Sequence, residues 1–296
     1  MQFTSPAEAA VWLVEKANEF MAGPENDIHL PGTHEPAFDL PLVAFAAGND
    51  PIWNEFKKHV GPFHWTPQEA FALGYPDVAV DPSELAVMVW ILPQTEATLR
   101  DHRKEKELPA ERWARSRMFG EEFVNNGLRR HMLKELHAIG IQAVAPFILD
   151  DWKAMPSEDF VYSSTWSERH AAYAAGLGTF GLCDGLITPK GKAMRVGSAV
   201  VRLAVPINER PYTDYREYCL FFSSGTCGIC MKRCPADALS PKGHDKRKCK
   251  AYLGDVTTPY VTNVLKFDGY GCGLCQVAVP CERRIPPRPK KKEQAE

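Results

Sequence analysis

Eight of the nine cysteines in this 296-residue chain lie between Cys219 and Cys281, and none precedes Cys183. This shift in composition is the clearest domain boundary in the sequence, and we place it near residues 206–218. The sequence shows neither a secretion signal nor a twin-arginine export signal, so we predict a cytoplasmic protein. Because disulfides are rare in a reducing compartment, the clustered thiols are not expected to form cross-links.

The overall composition argues against several classes of protein. Apolar residues make up 45% of the chain, which is typical of a globular protein and not of a disordered one. The formal net charge is −2, so no global charge attracts nucleic acid or an anionic membrane. No apolar run is long enough to cross a bilayer, and we expect no membrane partner.

The spacing of the cysteines predicts two iron–sulfur clusters. The first group contains Cys227-x2-Cys230-x3-Cys234-Pro235, with Cys219 further upstream. Bacterial ferredoxins use C-x2-C-x2-C-x3-C-P, and the fourth cysteine of each run ligates the other cluster. Two thiolates three residues apart can bind one cluster, while the last cysteine of the run points towards the second.

Applying this exchange assigns all eight clustered thiols. Cysteine set A, for the first [4Fe–4S] cluster, is Cys219, Cys227, Cys230 and Cys281. Cysteine set B, for the second cluster, is Cys234, Cys249, Cys272 and Cys275. Zinc held by the two C-x2-C pairs is the alternative, but it would leave four nearby cysteines without a role. The gaps before Cys227 and after Cys275 depart from the ferredoxin spacing. Cys183 is interpreted as a small buried hydrophobe without a function.

The sequence before the cysteines predicts helices layered on a buried sheet. Ser5 and Pro6 predict the start of a helix, with Glu8 completing a capping box. Residues 24–80 predict mostly loop with short elements. Continuous apolar runs predict buried strands, and helical periodicity predicts helices. The predicted strands are Leu85–Leu92, Gln142–Leu149 and Val196–Val205, and the predicted helices are residues 111–138 and Glu168–Ala175. Their alternation predicts a sheet between helical layers.

A glycine-rich segment follows the predicted Glu168–Ala175 helix. Gly176, Gly178 and Gly181 permit close backbone approach to a large flat ligand, or a tight turn. The G-x-G-x-x-G spacing matches a dinucleotide-binding loop, but here it follows a helix rather than a strand, and the expected acidic residue is missing. The context therefore argues against a Rossmann site.

The segment AGLGTFG at residues 175–181, the CxxCxxxCP run and GYGCGLCQ at residues 269–276 resemble epoxyqueuosine reductases and the related reductive dehalogenases. The segment LITPKG at residues 186–191 is more similar to the dehalogenases. The segment ARSRMFG at residues 114–120 is more similar to the epoxyqueuosine reductases. The resemblance covers residues 82–282, approximately, and does not extend to the N-terminal 80 residues.

This resemblance implies an α+β fold, in which a nitroreductase-like α/β cobalamin-binding domain precedes a ferredoxin-like module with two [4Fe–4S] clusters. We predict four divisions: an N-terminal helical and loop region packing on the core (1–80), a cobalamin-binding domain (81–205), a ferredoxin-like domain (206–285) and a basic disordered tail (286–296). Base-off cobalamin would lie against the sheet. The residues implied to bind it are Gly176, Leu177, Gly178, Gly181, Ile187, Thr188, Pro189, Gly191 and Arg195.

The same resemblance implies a cobalamin- and iron–sulfur-dependent reductase. The clusters would recharge cobalt to Co(I) with electrons from an external low-potential ferredoxin or flavodoxin. Counting back from AGLG, the position of the catalytic Asp of epoxyqueuosine reductases is Tyr162 here, and reductive dehalogenases use a Tyr as the acid. Tyr162 is therefore the predicted proton donor, a role that a nearby cation would favour. Glu168 and His170 are the reserve candidates.

We expect a small organic substrate, as in dehalogenation or epoxide reduction. Epoxyqueuosine reductases carry a helical-repeat region after the clusters that helps to hold tRNA, and this chain ends soon after Cys281. Together with the net charge of −2, this makes tRNA an unfavourable substrate. The alternatives are reduction of epoxyqueuosine in tRNA, and transfer of electrons to a partner's corrinoid or flavin without chemistry of its own. A flavin in place of cobalamin is a minor option.

Overall fold

The computed structural model describes residues 3–157 and 161–288. Its helices are α1 (Pro6–Ala22), α2 (Ile52–Val60), α3 (Pro67–Gly74), α4 (Glu96–Lys104), α5 (Glu111–Phe119), α6 (Asn126–Ala138), α7 (Glu168–Ala174), α8 (Leu220–Ser224), α9 (Ile229–Lys232), α10 (Lys246–Tyr252) and α11 (Thr258–Asn263). Its strands are β1 (Leu42–Ala47), β2 (Ala86–Pro93), β3 (Ala143–Val144), β4 (Ala154–Ser157), β5 (Val161–Ser164), β6 (Thr179–Phe180), β7 (Leu186–Ile187), β8 (Met194–Val201), β9 (Leu239–Ser240) and β10 (Gly243–His244).

The centre of the fold is a four-stranded antiparallel sheet in the order β1-β2-β8-β3. The central strand β2 is buried along its whole length because side chains pack on both of its faces. Trp90 of β2 pairs with Gly197 of β8, where an added Cβ would lie 2.4 Å from the indole nitrogen. That nitrogen donates a hydrogen bond to Asn125 Oδ1 at 2.9 Å. Glycine at position 197 therefore leaves room for the indole to cross the neighbouring strand.

Each face of the sheet buries its own apolar cluster. Along β1, Ala44 and Ala46 face one cluster and Phe45 faces the other, as the two-residue period of a strand requires. The first cluster includes side chains of α2, α3 and α7, and the second includes side chains of α1 and α6. The predicted mixed fold, in which helices cover a sheet, is confirmed.

Several predicted elements are present with small changes at their ends. Ser5 caps α1 by accepting a hydrogen bond from Glu8 N. The Glu8 carboxylate accepts hydrogen bonds from Thr4 N at 2.6 Å and from Thr4 Oγ1 at 2.7 Å, and an interaction with the Ser5 backbone also lowers the pKa of Glu8. The predicted helix at residues 111–138 is present as α5 and α6, joined by a π-helical turn. The predicted strand at residues 85–92 is present as β2.

The strand predicted at Gln142–Leu149 is largely wrong. Only β3, two residues long, pairs with β8, because Pro146 has no N–H to donate and begins a 3-10 turn. The short elements within residues 24–80 include β1, which pairs with β2 along its whole length. N-terminal residues therefore supply part of the central sheet, and the division at residue 80 stays a prediction.

The cysteine-rich region, residues 206–288, is built from short helices and two-residue strands. It packs on the preceding part of the chain, which we call the sheet region (residues 3–205), through a third apolar cluster. There Leu182 and Ile187 meet Cys219 and Cys230. Among the described residues, no helix combines the length and the apolar character that a membrane span requires. The predicted basic tail continues into residues 289–296, which lie outside the described residues.

Candidate functional site

Cysteine set A surrounds one pocket. Cys219 precedes α8, Cys227 lies in the loop before α9, Cys230 lies within α9, and Cys281 comes from the C-terminal loop. Apart from Lys192, the other side chains that line this pocket are apolar. The structure therefore brings together the four thiols that the sequence assigned to one cluster, in an apolar setting that is partly supplied by the sheet region.

The members of cysteine set B lie close to one another elsewhere in the cysteine-rich region. Burial, together with the nearby thiols of Cys249 and Cys234, raises the pKa of Cys272 to about 11. Cys275 interacts with Cys272 and also lies within hydrogen-bonding reach of Cys183. The structure therefore brings these four thiols into one neighbourhood, although Cys275 also contacts the ninth cysteine.

Within residues 3–157 and 161–288, no three or more His, Cys, Asp or Glu side chains are placed to hold a single metal ion. A [4Fe–4S] cluster makes a different demand, because its four thiolates bind four separate iron atoms around a bulky core. Four thiols spaced around a pocket, as in cysteine set A, fit that demand.

Lys192 and Cys183 add an unexpected charge beside this pocket. Lys192 is 2% exposed, and its Nζ lies 3.2 Å from Cys183 Sγ. Burial alone would lower the pKa of Lys192, but the surrounding thiolates, led by Cys183 and Cys281, raise that pKa well above its usual value. The prediction that Cys183 is buried is confirmed. Lys192 gave no signal in the sequence, because a lysine in a turn is ordinarily exposed.

Two of the predicted cofactor-binding glycines are packed against backbone of the same chain. An added Cβ would lie 2.3 Å from Glu209 O at Gly176 and 2.1 Å from Glu282 O at Gly191. Both glycines have positive φ, 76° and 84° respectively. The sequence predicted close backbone approach at such positions, and the structure shows the approach of other segments of this chain.

Gly178 and Gly181 have a similar role in the small hairpin of β6 and β7. An added Cβ would lie 2.2 Å from Ile187 O at Gly178 and 3.3 Å from Ile187 Cδ1 at Gly181. Leu177 and Ile187 are buried in apolar clusters. These four predicted residues are therefore adjacent, and the space next to them is filled by their own hairpin.

Thr188, Pro189 and Gly191 form the turn that leads into β8. Thr188 Oγ1 donates a hydrogen bond to Gly191 O at 2.8 Å and accepts one from Lys190 N at 3.1 Å. Thr188 is fully buried, whereas Pro189 is exposed. The turn is thus held by the threonine hydroxyl, and Pro189 presents its ring outside it.

Arg195, near the start of β8, has a donor that no described residue satisfies. Its Nε is buried and has no hydrogen-bond partner within the described ranges, and Glu121 Oε2 lies 3.8 Å away. Burial, together with the positive charge of Arg117, lowers the pKa of the Arg195 guanidinium. A ligand with amide or phosphate oxygens would supply the acceptor that this donor lacks.

A buried ion-pair network extends from Arg195 to the reserve acid Glu168. The fully buried Arg129 guanidinium forms ion pairs with the Glu121 carboxylate at 3.0 Å and with the Glu168 carboxylate at 2.9 Å. Glu168 also accepts a hydrogen bond from Ser198 Oγ at 2.5 Å. Burial raises the pKa of Glu168, and the charge of Arg129 opposes this effect. Glu168 is therefore engaged in holding α7 against α6 and β8.

The other reserve candidate, His170, belongs to an aromatic group. Its ring centroid lies 4.9 Å from that of Phe56 and 5.9 Å from that of His64. Burial lowers the pKa of His170 well below its usual value and lowers that of His64 to about 4. Both imidazoles are therefore neutral at pH 7.

Tyr162, the predicted proton donor, lies on β5 opposite Pro156 of β4 and is 44% exposed. Two cations from α10 approach it. Lys250 Nζ lies 4.4 Å from the centroid of the phenol ring, and Lys246 Nζ donates a hydrogen bond to the Tyr162 carbonyl at 3.4 Å. Both cations come from the cysteine-rich region, and the role of Tyr162 as a proton donor stays a prediction.

Comparisons with known proteins agree with the resemblance found in the sequence. An epoxyqueuosine reductase of Leadbetterella byssophila is 30% identical over 128 residues, which cover 41% of this chain and 39% of that protein. The chain thus spans about two fifths of the length of this curated relative. No family model matches the chain.

Solved structures give the same two groups of proteins. A reductive dehalogenase, described with a mechanism for B12-dependent dehalogenation, matches with a TM-score of 0.52 and 13% identity over 95% of this chain and 33% of its own. This match shows a shared fold. An epoxyqueuosine reductase with an epoxyqueuosine-modified tRNA stem loop matches with a TM-score of 0.47 and 16% identity, over 93% of this chain and 65% of its own. The predicted resemblance to both groups is confirmed by the curated relative and by the shared fold.

Proposed function

We propose that this chain is an iron–sulfur reductase that also binds cobalamin and that holds two [4Fe–4S] clusters in a ferredoxin-like module. The pocket surrounded by cysteine set A is the observation that carries the proposal. Its lining is apolar apart from the thiols and Lys192, and such burial is one of the factors that set the reduction potential of a cluster. The names of the relatives, which are reductases, support the assignment to the oxidoreductases.

A cobalamin fits the neighbourhood of Arg195 better than it fits the glycines. The unpartnered Arg195 Nε can donate to an amide or phosphate oxygen, and cobalamin carries both. Gly176 and Gly191 are packed against the backbone of Glu209 and Glu282. Their role is therefore to let the β6–β7 hairpin and the turn before β8 pack closely against those segments. When bound, cobalamin supplies strongly reducing, nucleophilic cobalt, and the clusters supply its electrons.

The chain's own residues would control the proton. Tyr162 is 44% exposed, and Lys250 Nζ lies 4.4 Å from the centroid of its ring. Tyr162 would donate the proton that follows reduction of the substrate, next to this cation. The network of Glu168 and Arg129 fixes β8, the strand that carries Arg195.

Two substrate classes remain. A small organic molecule, an organohalide or an epoxide, fits the resemblance to the dehalogenases. Epoxyqueuosine in tRNA is the second candidate, and one observation favours it: α10 carries the sequence KRKCK next to Tyr162, so several cations that can bind phosphates adjoin the proposed acid. This local charge argues against the expectation that tRNA is unfavourable, which rested on the net charge and on the missing helical-repeat region.

The first experiment is anaerobic reconstitution of the whole chain with iron and sulfide, followed by titration with hydroxocobalamin. We expect about eight iron atoms and one base-off corrinoid per chain, measured by iron analysis, absorbance and EPR. The same iron without a corrinoid would instead support an electron-transfer protein, and a yellow chromophore released on denaturation would support a flavin. A chain that binds no iron would contradict the proposal as a whole.

The role of Tyr162 is tested by Tyr162→Phe in the reconstituted enzyme. Loss of a general acid should lower kcat by about 10²-fold or more, while iron and corrinoid content stay unchanged. Tyr215→Phe is the matched control, because Tyr215 is also half-exposed and has the Arg216 guanidinium 4.9 Å from its ring centroid. Equal activity of both variants would remove Tyr162 from the mechanism.

The substrate class is tested by giving the reconstituted enzyme epoxyqueuosine-containing tRNA, organohalides and epoxides in parallel. If tRNA is the substrate, Arg247→Glu with Lys248→Glu should abolish a salt-sensitive gel shift, because both cations are exposed on α10. The control is Lys58→Glu on α2, whose side chain is 68% exposed but is not part of α10. Turnover of an organohalide together with no tRNA shift would select the small-molecule class.

A further inference from the structure

Lys192 lies where the sheet region and the cysteine-rich region are joined. Its backbone N–H donates hydrogen bonds to Cys281 O at 2.8 Å and to Glu282 O at 3.1 Å. It follows Gly191, whose lack of a side chain admits the Glu282 carbonyl. The backbone at Lys192 is therefore fixed against the C-terminal loop that carries one member of cysteine set A.

The side chain of Lys192 turns inward from this fixed backbone. It is 2% exposed, it lines the pocket of cysteine set A, and an added Cβ at Gly185 would lie 2.8 Å from its Cδ. Glycine at position 185 thus leaves space for the lysine stem. By contrast, Lys190, two residues earlier in the same turn, is exposed.

A buried ammonium group requires a negative partner, because leaving it unpaired costs several kcal/mol. Among the described residues, no carboxylate lies within ion-pair distance of Lys192 Nζ, and its nearest recorded acceptor is Cys183 Sγ at 3.2 Å. The negative groups around it are therefore sulfur atoms. A cluster bound by four thiolates would be the largest negative charge at this place.

We propose that Lys192 sets the reduction potential of the cluster on cysteine set A, by placing a buried positive charge against its pocket. Cys183 is the positioning residue that accepts from the ammonium group and directs it there. The inference rests on the proposed function, since it requires clusters, but it does not depend on cobalamin or on the substrate.

The direction of the effect follows from charge. Reduction adds one electron to a cluster that is already anionic, so a neighbouring cation stabilises the reduced form more than the oxidised form. This stabilisation is large only where water is excluded, as it is at Lys192. The cluster on cysteine set A should therefore be easier to reduce in the native chain than in a variant that lacks this charge.

The test is an EPR-monitored redox titration of the reconstituted whole chain, with Lys192→Met beside the native protein. At a fixed potential, the ratio of reduced to oxidised cluster for one of the two signals should be at least about tenfold lower in the variant. For a one-electron couple, a tenfold change corresponds to a shift of about 59 mV in the reduction potential. The second signal should move much less. Lys192→Arg should restore the native potential, and Lys190→Met should leave both signals unchanged.

The outcomes separate this inference from the proposed function. If Lys192→Met binds all its iron and both signals keep their native potentials, the role of Lys192 is overturned while the clusters stand. If the native chain gives no cluster signal, the proposed function itself fails. Should Lys192→Met not fold, Lys192→Gln keeps a polar side chain and must show the same shift. Cys183→Ala should keep all the iron and shift the same potential, and loss of iron from it would make Cys183 a ligand and overturn its positioning role.

Discussion

The sheet region and the cysteine-rich region are stabilised in different ways. The sheet region buries a strand completely and packs a separate apolar cluster on each face of its sheet. The cysteine-rich region has only short helices and two-residue strands, and its buried cluster consists largely of cysteines and of side chains borrowed from residues 182–187. The sheet region therefore has an apolar core of its own, whereas thiols take much of the place of a core in the cysteine-rich region.

The difference teaches what each region requires in order to fold. Apolar burial of the kind seen around β2 stabilises a fold without a ligand. A short segment that places thiols around a pocket gains its stability when a cluster fills the pocket, because the free energy of binding the cluster then contributes to the free energy of folding. We therefore expect the order of the cysteine-rich region to depend on its clusters and that of the sheet region to be independent of them.

The largest effect should come from removing a ligand. Cys230→Ser is expected to lower the iron content from about eight to about four atoms per chain, because one cluster loses a ligand. The cysteine-rich region should then be cut by protease near residues 206–218, while the sheet region resists. Iron analysis and limited proteolysis with mass spectrometry measure both. Cys183→Ser is the control and should retain all its iron, and equal protection of both regions in Cys230→Ser would contradict the comparison.

The reverse test removes core volume from the sheet region. Leu92 of β2 is fully buried in the second apolar cluster, so Leu92→Ala should lower the free energy of unfolding of the sheet region by about 2–5 kcal/mol. The iron content of the folded protein should not change. Urea unfolding followed by tryptophan fluorescence, with iron analysis before the transition, checks both statements. Val11→Ala, at a position that is 57% exposed, is the matched control and should cost little.

The sequence was informative where a residue's environment is decided locally. The apolar run of β2 predicted a strand buried on both faces, and the cysteine spacing predicted which thiols meet at one pocket. The short β1, with three alanines among its six residues, was not singled out. The strand predicted at Gln142–Leu149 ends after β3, because Pro146 has no N–H to donate to the hydrogen bonds of the sheet.

The parts that could not be predicted depend on distant segments. The glycine spacing indicated unusual backbone, but not that Glu209 and Glu282 carbonyls would fill the space beside Gly176 and Gly191. Arg129 is fully buried because its partners come from three other segments, and nothing near it in the sequence predicts that. Lys192 is buried for a similar reason, since Cys230, Cys275 and Cys281, three of the thiols around it, follow it by many residues.

The junction between the regions can be weakened without touching either core. At Gly191, which has φ of 84°, an added Cβ would lie 2.1 Å from the Glu282 carbonyl, whereas at Gly140, which has φ of 80°, nothing lies within 4 Å. Both alanine variants carry the strain of positive φ. Gly191→Ala should cost a further 1–3 kcal/mol, approximately, because backbone must move. Equal unfolding free energies for the two variants, from urea titration, would show that this junction is not tightly packed.

The smallest effect is a difference in the sign of pH dependence between the two regions. Burial lowers the pKa of His64 in the sheet region from 6.5 to about 4. In the cysteine-rich region, burial opposes protonation of His244, but its bonds to Asp184, at 3.0 Å, and to Cys249 raise its pKa to about 9. As the pH falls, His64 is protonated at a higher pH in the unfolded state than in the folded state. His244 is protonated at a higher pH in the folded state than in the unfolded state.

It follows that the contribution of His64 is lost as the pH falls from 6.5 towards 4, and that of His244 is lost as the pH rises from 6.5 towards 9. Each slope should approach about 1.4 kcal/mol per pH unit. Urea unfolding at pH 5.5, 7 and 8.5 compares the native chain with His64→Phe, which should lose the acid slope, and with His244→Gln, which should lose the alkaline slope. A slope of the same sign from both histidines would mean that the ion pair of His244 with Asp184 does not hold the two regions together.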